Sequence, residues 1–175
     1  RGEPVFTAEI TPPRLYLEID RIVGIARQLR ALGLDAIAVT NSTGGSYKFS
    51  PWAIVEDIQR AMGHVPLIIH LTARDEGSAR SVYYHLHEMS LKGVRDVLII
   101  RGDPSPGNSK VLDSYRFTTS ALVDMAAGYR RGTLIDGSHC EPLPNLDGFV
   151  AAHPEFPDKA LDKHFGFLKR KIDAG

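Results

Sequence analysis

The chain has 175 residues, 43% of them hydrophobic, enough for one domain with a full core and no compositional reason for disorder. Its 21 basic and 21 acidic side chains cancel, so neither nucleic acid nor an anionic membrane surface is favoured as a partner. The one cysteine, Cys140, excludes an internal disulfide and a thiolate metal cluster; with no basic-then-apolar leader and no run near the ~18 apolar residues of a membrane span, the expectation is a cytoplasmic protein.

Val5 to Ile10 is a short apolar run that ends in Thr11-Pro12-Pro13 and reads as a first strand. The prolines stop it, and Leu15 to Leu32 then carries Leu15, Ile19, Ile22, Val23, Ile25, Ala26, Leu29 and Leu32 at helical spacing, with Gly33 as the stop. A second strand, Ala36 to Val39, empties into Thr40-Asn41-Ser42-Thr43-Gly44-Gly45. Ser50 as N-cap and Pro51 at the first helical position open a helix that runs through Ile54, Val55, Ile58 and Met62 to Gly63. The third strand, Val65 to Ile69, leads into His70-Leu71-Thr72-Ala73-Arg74-Asp75 and, past an Asp75-Glu76-Gly77 turn, into a helix from Ser78 to Leu91.

Val97 to Ile100 is a continuous apolar run, expected to be a strand buried on both faces, and it stops abruptly at Arg101-Gly102-Asp103-Pro104. Phe117 to Ala127 has the pattern of a helix, whereas Tyr129 to Leu146, with its glycines, prolines and polar residues, has the composition of loops and is expected to be a surface excursion or a lid. A fifth strand, Gly148 to Ala152, ends in His153-Pro154-Glu155, and Pro157-Asp158 starts a last helix carrying Leu161, Phe165, Leu168 and Ile172.

The order is strand-helix repeated, with connections short enough to force right-handed crossovers and a parallel sheet. A doubly wound sheet is expected to carry a glycine-rich phosphate turn after its first strand, and Thr11-Pro12-Pro13-Arg14 is not one. The expected fold class is therefore α/β of the (βα)8 TIM-barrel type. Such a barrel takes about 250 residues and about five units are present, so residues 1–175 are expected to be one incomplete barrel domain, truncated at its C-terminus, with further strands supplied by a longer chain or by another copy. Five runs that deposit polar groups at one end point to a single site on the C-terminal rim. Individually these residues have plainer readings. Gly102-Asp103-Pro104 is also a tight turn, Glu9 a partner for Arg14, His70 a core histidine, and Arg170 with Lys171 a solvated helix end.

Together the strand ends resemble a known family. Ala8-Glu9-Ile10-Thr11-Pro12-Pro13-Arg14, Val39-Thr40 with the glycine pair, His70-Leu71-Thr72, Arg101-Gly102-Asp103-Pro104 and Leu168 to Gly175, in this order and spacing, resemble the methylenetetrahydrofolate reductases, flavin-dependent (βα)8 enzymes. The resemblance implies a catalytic barrel that uses FAD to pass a hydride from NADH or NADPH to 5,10-methylenetetrahydrofolate, giving 5-methyltetrahydrofolate for one-carbon metabolism and methionine biosynthesis. It makes Glu9 the general acid that protonates the departing folate nitrogen, a role suited to a carboxyl whose pKa is raised by apolar neighbours. Asp103 becomes a second catalytic group and a cofactor contact beside the flavin and the pterin. Thr40, His70, Arg101, Gly102, Arg170 and Lys171 match cofactor-binding positions, the cations suiting the pyrophosphate. His153 matches a cofactor-binding position where the family commonly has tyrosine, and no metal is implied.

Two other classes stay open on the residues. A pterin-handling methyltransferase on a similar barrel needs the folate site without a flavin, and a non-catalytic module needs only flavin binding or subunit contact. A flavin spectrum excludes the first, and bleaching by NADH excludes the second.

Overall fold

The computed structural model describes residues 5–63, 66–107, 113–150 and 161–174. Strand β1 (Thr7–Ile10) is followed by a single 3-10 turn and helix α1 (Ile19–Ala31), and β2 (Ala36–Val39) by α2 (Pro51–Met62). Then come β3 (Leu67–Thr72), α3 (Ala79–Leu91), β4 (Asp96–Ile100), α4 (Thr119–Arg130), β5 (Asp147–Val150) and α5 (Leu161–Ala174). All pairings are parallel and the sheet order is β1-β2-β3-β4-β5. Each new strand is added on the same edge. That advance in one direction builds a barrel wall, whereas a doubly wound sheet reverses its order at a switch point, and the α/β partial-barrel class expected from the sequence is what the chain forms.

Parallel partners share a face, so the register sorts the strands into two layers. Val39 pairs with Ile69 and Ile69 with Val97, while Leu71 pairs with Ile99. These side chains are buried and pack against Val23 and Ala26 of α1, Ile54, Val55 and Ile58 of α2, Val82, Leu86 and Met89 of α3, and Leu122 and Val123 of α4. Truncating any of the aliphatic members to alanine is worth about 2–5 kcal/mol, which makes this layer the main source of stability. The opposite face carries Glu9, Ala38 and Ile68 in one row, with His70 beside Leu98 and Thr72 beside Ile100 above it.

That second face is where the strands depart from expectation. Val97 and Ile99 are buried, but Leu98 and Ile100 are half-buried, so β4 is covered fully only on its helix side. Strand β3 also runs further than the apolar run Leu67 to Ile69. Its ladder with β4 continues through His70, Leu71 and Thr72, so His70 is a strand residue and the loop starts at Ala73. Helix α1 starts at Ile19 because the Glu18 carboxylate accepts hydrogen bonds from the Arg14 and Leu15 amides (3.3 and 3.2 Å) and closes a tighter turn first. Ser78 caps α3 by accepting from the Ser81 amide (3.0 Å), and Thr118 caps α4 by accepting from the Ala121 amide (3.1 Å).

The stretch Tyr129 to Leu146 is no loose excursion. Tyr129 is 1% exposed, its hydroxyl donates to the Ala79 carbonyl (2.9 Å), and burial pushes its pKa up to about 12. Leu143 and Leu146 are buried, a β-bridge joins Thr133 to His139, and the Leu143 amide donates to the Tyr129 carbonyl (3.0 Å). Loop composition was read correctly, but three apolar anchors sew the segment to α3 and α4. Among the described residues no helix is long and apolar enough to cross a membrane.

Candidate active site

The C-terminal ends of β1 to β4 carry the polar groups, and the ladder decides which of them meet. Glu9, on β1, is largely exposed, and its Oε1 lies 3.9 Å from Nε2 of His70, two strands away. His70 is 4% exposed. Its Nε2 is the one buried side-chain polar atom, among the described residues, that lacks a hydrogen-bond partner. Burial pushes the His70 pKa down and the Glu9 charge opposes the shift only in part, so the ring is neutral near pH 7. An unpartnered buried nitrogen costs free energy unless something completes it, and here the unmet valence lies on the same sheet face as Glu9, one row above it.

Next to this pair the loop after β2 is tied by hydroxyls. Thr43 Oγ1 donates to Thr40 Oγ1 (2.8 Å), and Thr40 Oγ1 donates to Thr11 Oγ1 (3.1 Å), linking β2 to the end of β1. The loop after β4 comes to meet it. Gly102 has φ +83°, and a Cβ there would sit 3.1 Å from Thr72 Cβ and 3.2 Å from Arg74 Cβ, so only glycine turns at this point without displacing β3. Asp103 follows, exposed, with its Oδ2 accepting from the Gly44 amide (2.9 Å). Gly45 lies so close that a Cβ would be 2.2 Å from the Pro104 carbonyl oxygen. Arg101 turns its guanidinium over the Tyr115 ring, 5.2 Å from the centroid. The Tyr115 hydroxyl donates to the Gly102 carbonyl (3.0 Å), and its backbone, at φ +38°, holds a conformation that a bulky residue keeps only when its surroundings impose it.

Beneath both loops lies Arg74, 2% exposed. Its Nε and Nη2 fork onto the two Asp75 oxygens (2.7 Å each), and Nη1 donates to the backbone carbonyls of Ser42 (3.2 Å) and Asp103 (2.8 Å). The hydrogen bond to Asp75 raises its pKa further, against the cost of burial. Asp75 Oδ2 also accepts from Thr72 Oγ1 (2.5 Å), which in turn accepts from Asn41 Nδ2 (3.1 Å).

Of the residues singled out from the sequence, the structure brings Glu9 and His70 together, sets Thr40 in the adjoining strand end, and joins Gly102 and Asp103 to the glycine loop. Arg170 is exposed on the last turns of α5, which packs beside α4. Lys171 belongs to α5 by its backbone, while its side chain and the whole of His153 lie outside the described residues. Sequence reasoning missed Arg74 as an organiser, and with it Asn41, Thr72, Asp75 and Tyr115. One signal was available: an arginine and an aspartate adjacent in sequence directly after a strand that already ends in histidine and threonine.

A parallel sheet that advances strand by strand and gathers carboxylates, hydroxyls and a neutral histidine at its C-terminal rim defines a partial (βα)8-type domain with one rim site. The family model described as methylenetetrahydrofolate reductase matches residues 1–175, and the chain belongs to that family. It is 26% identical over 182 residues to a protein of Oryza sativa subsp. japonica named "Probable methylenetetrahydrofolate reductase (NADH)". It is 23% identical over 184 residues to "Methylenetetrahydrofolate reductase (NADH) 1" of Zea mays. Each match covers 99% of this chain and 29% of the relative, so the chain spans under a third of the length of these curated relatives.

Proposed function

We propose that these residues form part of the catalytic barrel of a flavin-dependent oxidoreductase that reduces 5,10-methylenetetrahydrofolate to 5-methyltetrahydrofolate, with Glu9 as general acid. The observation that carries the reading is the meeting of Glu9 and the orphaned Nε2 of His70 at 3.9 Å, at two positions the family resemblance gives to the acid and to a cofactor contact. NADH is proposed as the reductant because both relatives carry it in their names.

FAD fits the rim on one count. His70 presents a buried nitrogen with no hydrogen-bond partner among the described residues. Thr40, His70, Arg101, Gly102, Asp103, Arg170 and Lys171 are the residues proposed to hold it, together with His153. When bound, FAD supplies hydride transfer between the nicotinamide and the folate. The chain's own residues do the rest. Glu9 gives a proton to the folate nitrogen that leaves the methylene bridge, opening the ring to an iminium cation. The Asp103 carboxylate favours that cation and disfavours added negative charge beside it.

The test separates the half-reactions in the full-length polypeptide by stopped-flow absorbance. Glu9→Gln keeps flavin reduction by NADH near the parent rate and blocks transfer to methylenetetrahydrofolate. Equal slowing of both halves would make Glu9 a structural residue and overturn the assignment. Arg170→Ala with Lys171→Ala weakens FAD retention in equilibrium dialysis, and unchanged retention removes those two from the cofactor set.

A further inference from the structure

We propose that Arg74 is a positioning residue that locks the Asp103 carboxylate onto the Gly44 amide and so sets the orientation in which Asp103 faces the folate site. The inference rests on the role given to Asp103 above and extends it to a residue the family resemblance did not single out.

A buried guanidinium is tolerable only when its donors are used, and the way Arg74 uses them is asymmetric. Nε and Nη2 are satisfied by its sequence neighbour Asp75. Nη1 faces away from Asp75 and divides between the carbonyls of Ser42, in the loop after β2, and Asp103, in the loop after β4. Those are the two loops between which the contact of the Gly44 amide with Asp103 Oδ2 is made. They also touch at Gly45 and Pro104, with no room for a Cβ, so a small shift of either loop changes the other.

Asp103 itself is exposed, and among the described residues its carboxylate has one hydrogen bond, from that amide. A solvent-exposed side chain keeps one rotamer only if its partner is held still, and Nη1 ties down both sides of this contact: the Ser42 carbonyl, in the turn that the Gly45 amide also closes, and the backbone carbonyl of Asp103 itself. Asp75 is held in turn by Thr72, and Thr72 by Asn41, so the grip on Arg74 reaches back into β3 and the loop after β2. The fork matters as much as the charge. Lysine has no planar pair of donors with which to hold Asp75 while reaching two carbonyls.

Hydrogen exchange at the Gly44 amide reads this coupling without any cofactor. In the full-length polypeptide, Arg74→Met, which keeps the aliphatic stem, accelerates Gly44 exchange about tenfold or more, and Asp103→Ala does the same, because each frees the same amide. The double variant exchanges no faster than either single one, as expected for residues acting through one contact. Folate-reducing kcat falls about 10- to 100-fold in Arg74→Met with KM little changed, and Arg74→Lys recovers only part of it. A folded Arg74→Met protein with parental Gly44 exchange overturns the proposal, as do losses that add to those of Asp103→Asn. If Arg74→Met does not fold, Asp75→Asn, which loosens the fork without removing the arginine, decides it by the same exchange measurement. A parent protein that reduces no folate refutes the functional reading alone, since the exchange arm still reports whether Arg74 holds Asp103.

Discussion

Two ionic clusters begin one residue apart, at Asp75 and at Glu76, and they are built for opposite ends. Glu76 is 1% exposed and its carboxylate is used up inside the fold: Ser81 Oγ donates to Oε2 (2.5 Å) and His85 Nδ1 to Oε1 (2.7 Å). The His85 ring is in turn stacked on Trp52. Arg74 is as deeply buried, yet its Nη1 ends on loop carbonyls, and the carboxylate of Asp103, whose backbone it holds, stays open to solvent. A buried charge closed on itself secures α3. A buried charge that ends on loops keeps exposed groups in place for chemistry.

The comparison is broken most strongly by removing one carboxylate from each side. Asp103→Asn is expected to slow folate reduction by about 10² to 10⁴ while leaving the melting temperature unmoved and the flavin potential raised, read by stopped-flow absorbance, thermal melting and redox titration. A lower melting temperature with unchanged rate and potential would make Asp103 a turn residue. Glu76→Ala should do the reverse. It costs about 2–3 kcal/mol in urea unfolding, because Ser81 and the half-buried His85 lose their acceptor, and the rate per folded molecule is unaltered.

Gly102→Ala reaches the junction of fold and rim. With φ at +83° and Thr72 and Arg74 in the way, it is expected to cost about 1–2 kcal/mol and to slow turnover as well, since the strain is passed to Arg74. The smallest effect is a pair of opposite pH dependences. The hydrogen bond to Glu76 holds the His85 pKa above its ordinary 6.5, so its contribution is full below 6.5 and is lost as pH rises through the higher folded value. Burial holds the His70 pKa below 6.5, so its contribution is full above 6.5 and is lost as pH falls through the lower folded value. Melting temperatures between about pH 5 and 8 should therefore flatten on the alkaline side in His85→Gln and on the acid side in His70→Gln. Identical profiles in the two variants would erase the distinction.

What the sequence disclosed and what it hid divide along physical lines. Ala36 to Val39 was readable to the residue, as were the start of α2 at Pro51 and the polar ends of the strands, because these depend on local pattern. The extent of β3 was not, because β4, about 30 residues on, supplies the ladder that keeps His70 and Thr72 extended. Apolar periodicity cannot report a partner. For the same reason the run before Arg101 looked buried on both faces when only Val97 and Ile99 are. That Glu9, His70 and Asp103 lie at strand ends could be read from the apolar runs around them, whereas Arg74 works through backbone carbonyls, which leave no trace in side-chain identity.

The stacking of Trp52 on His85 has an optical consequence. The chain has one tryptophan, and its ring lies at a centroid distance of 4.7 Å and an angle of 20° from the imidazole whose pKa the hydrogen bond to Glu76 raises. A cation over the indole face perturbs its excited state, so emission from this single fluorophore is expected to brighten as His85 loses its proton. The molecule thus carries a built-in lamp for the closed cluster, by which the state of its α3 flank can be followed without a label.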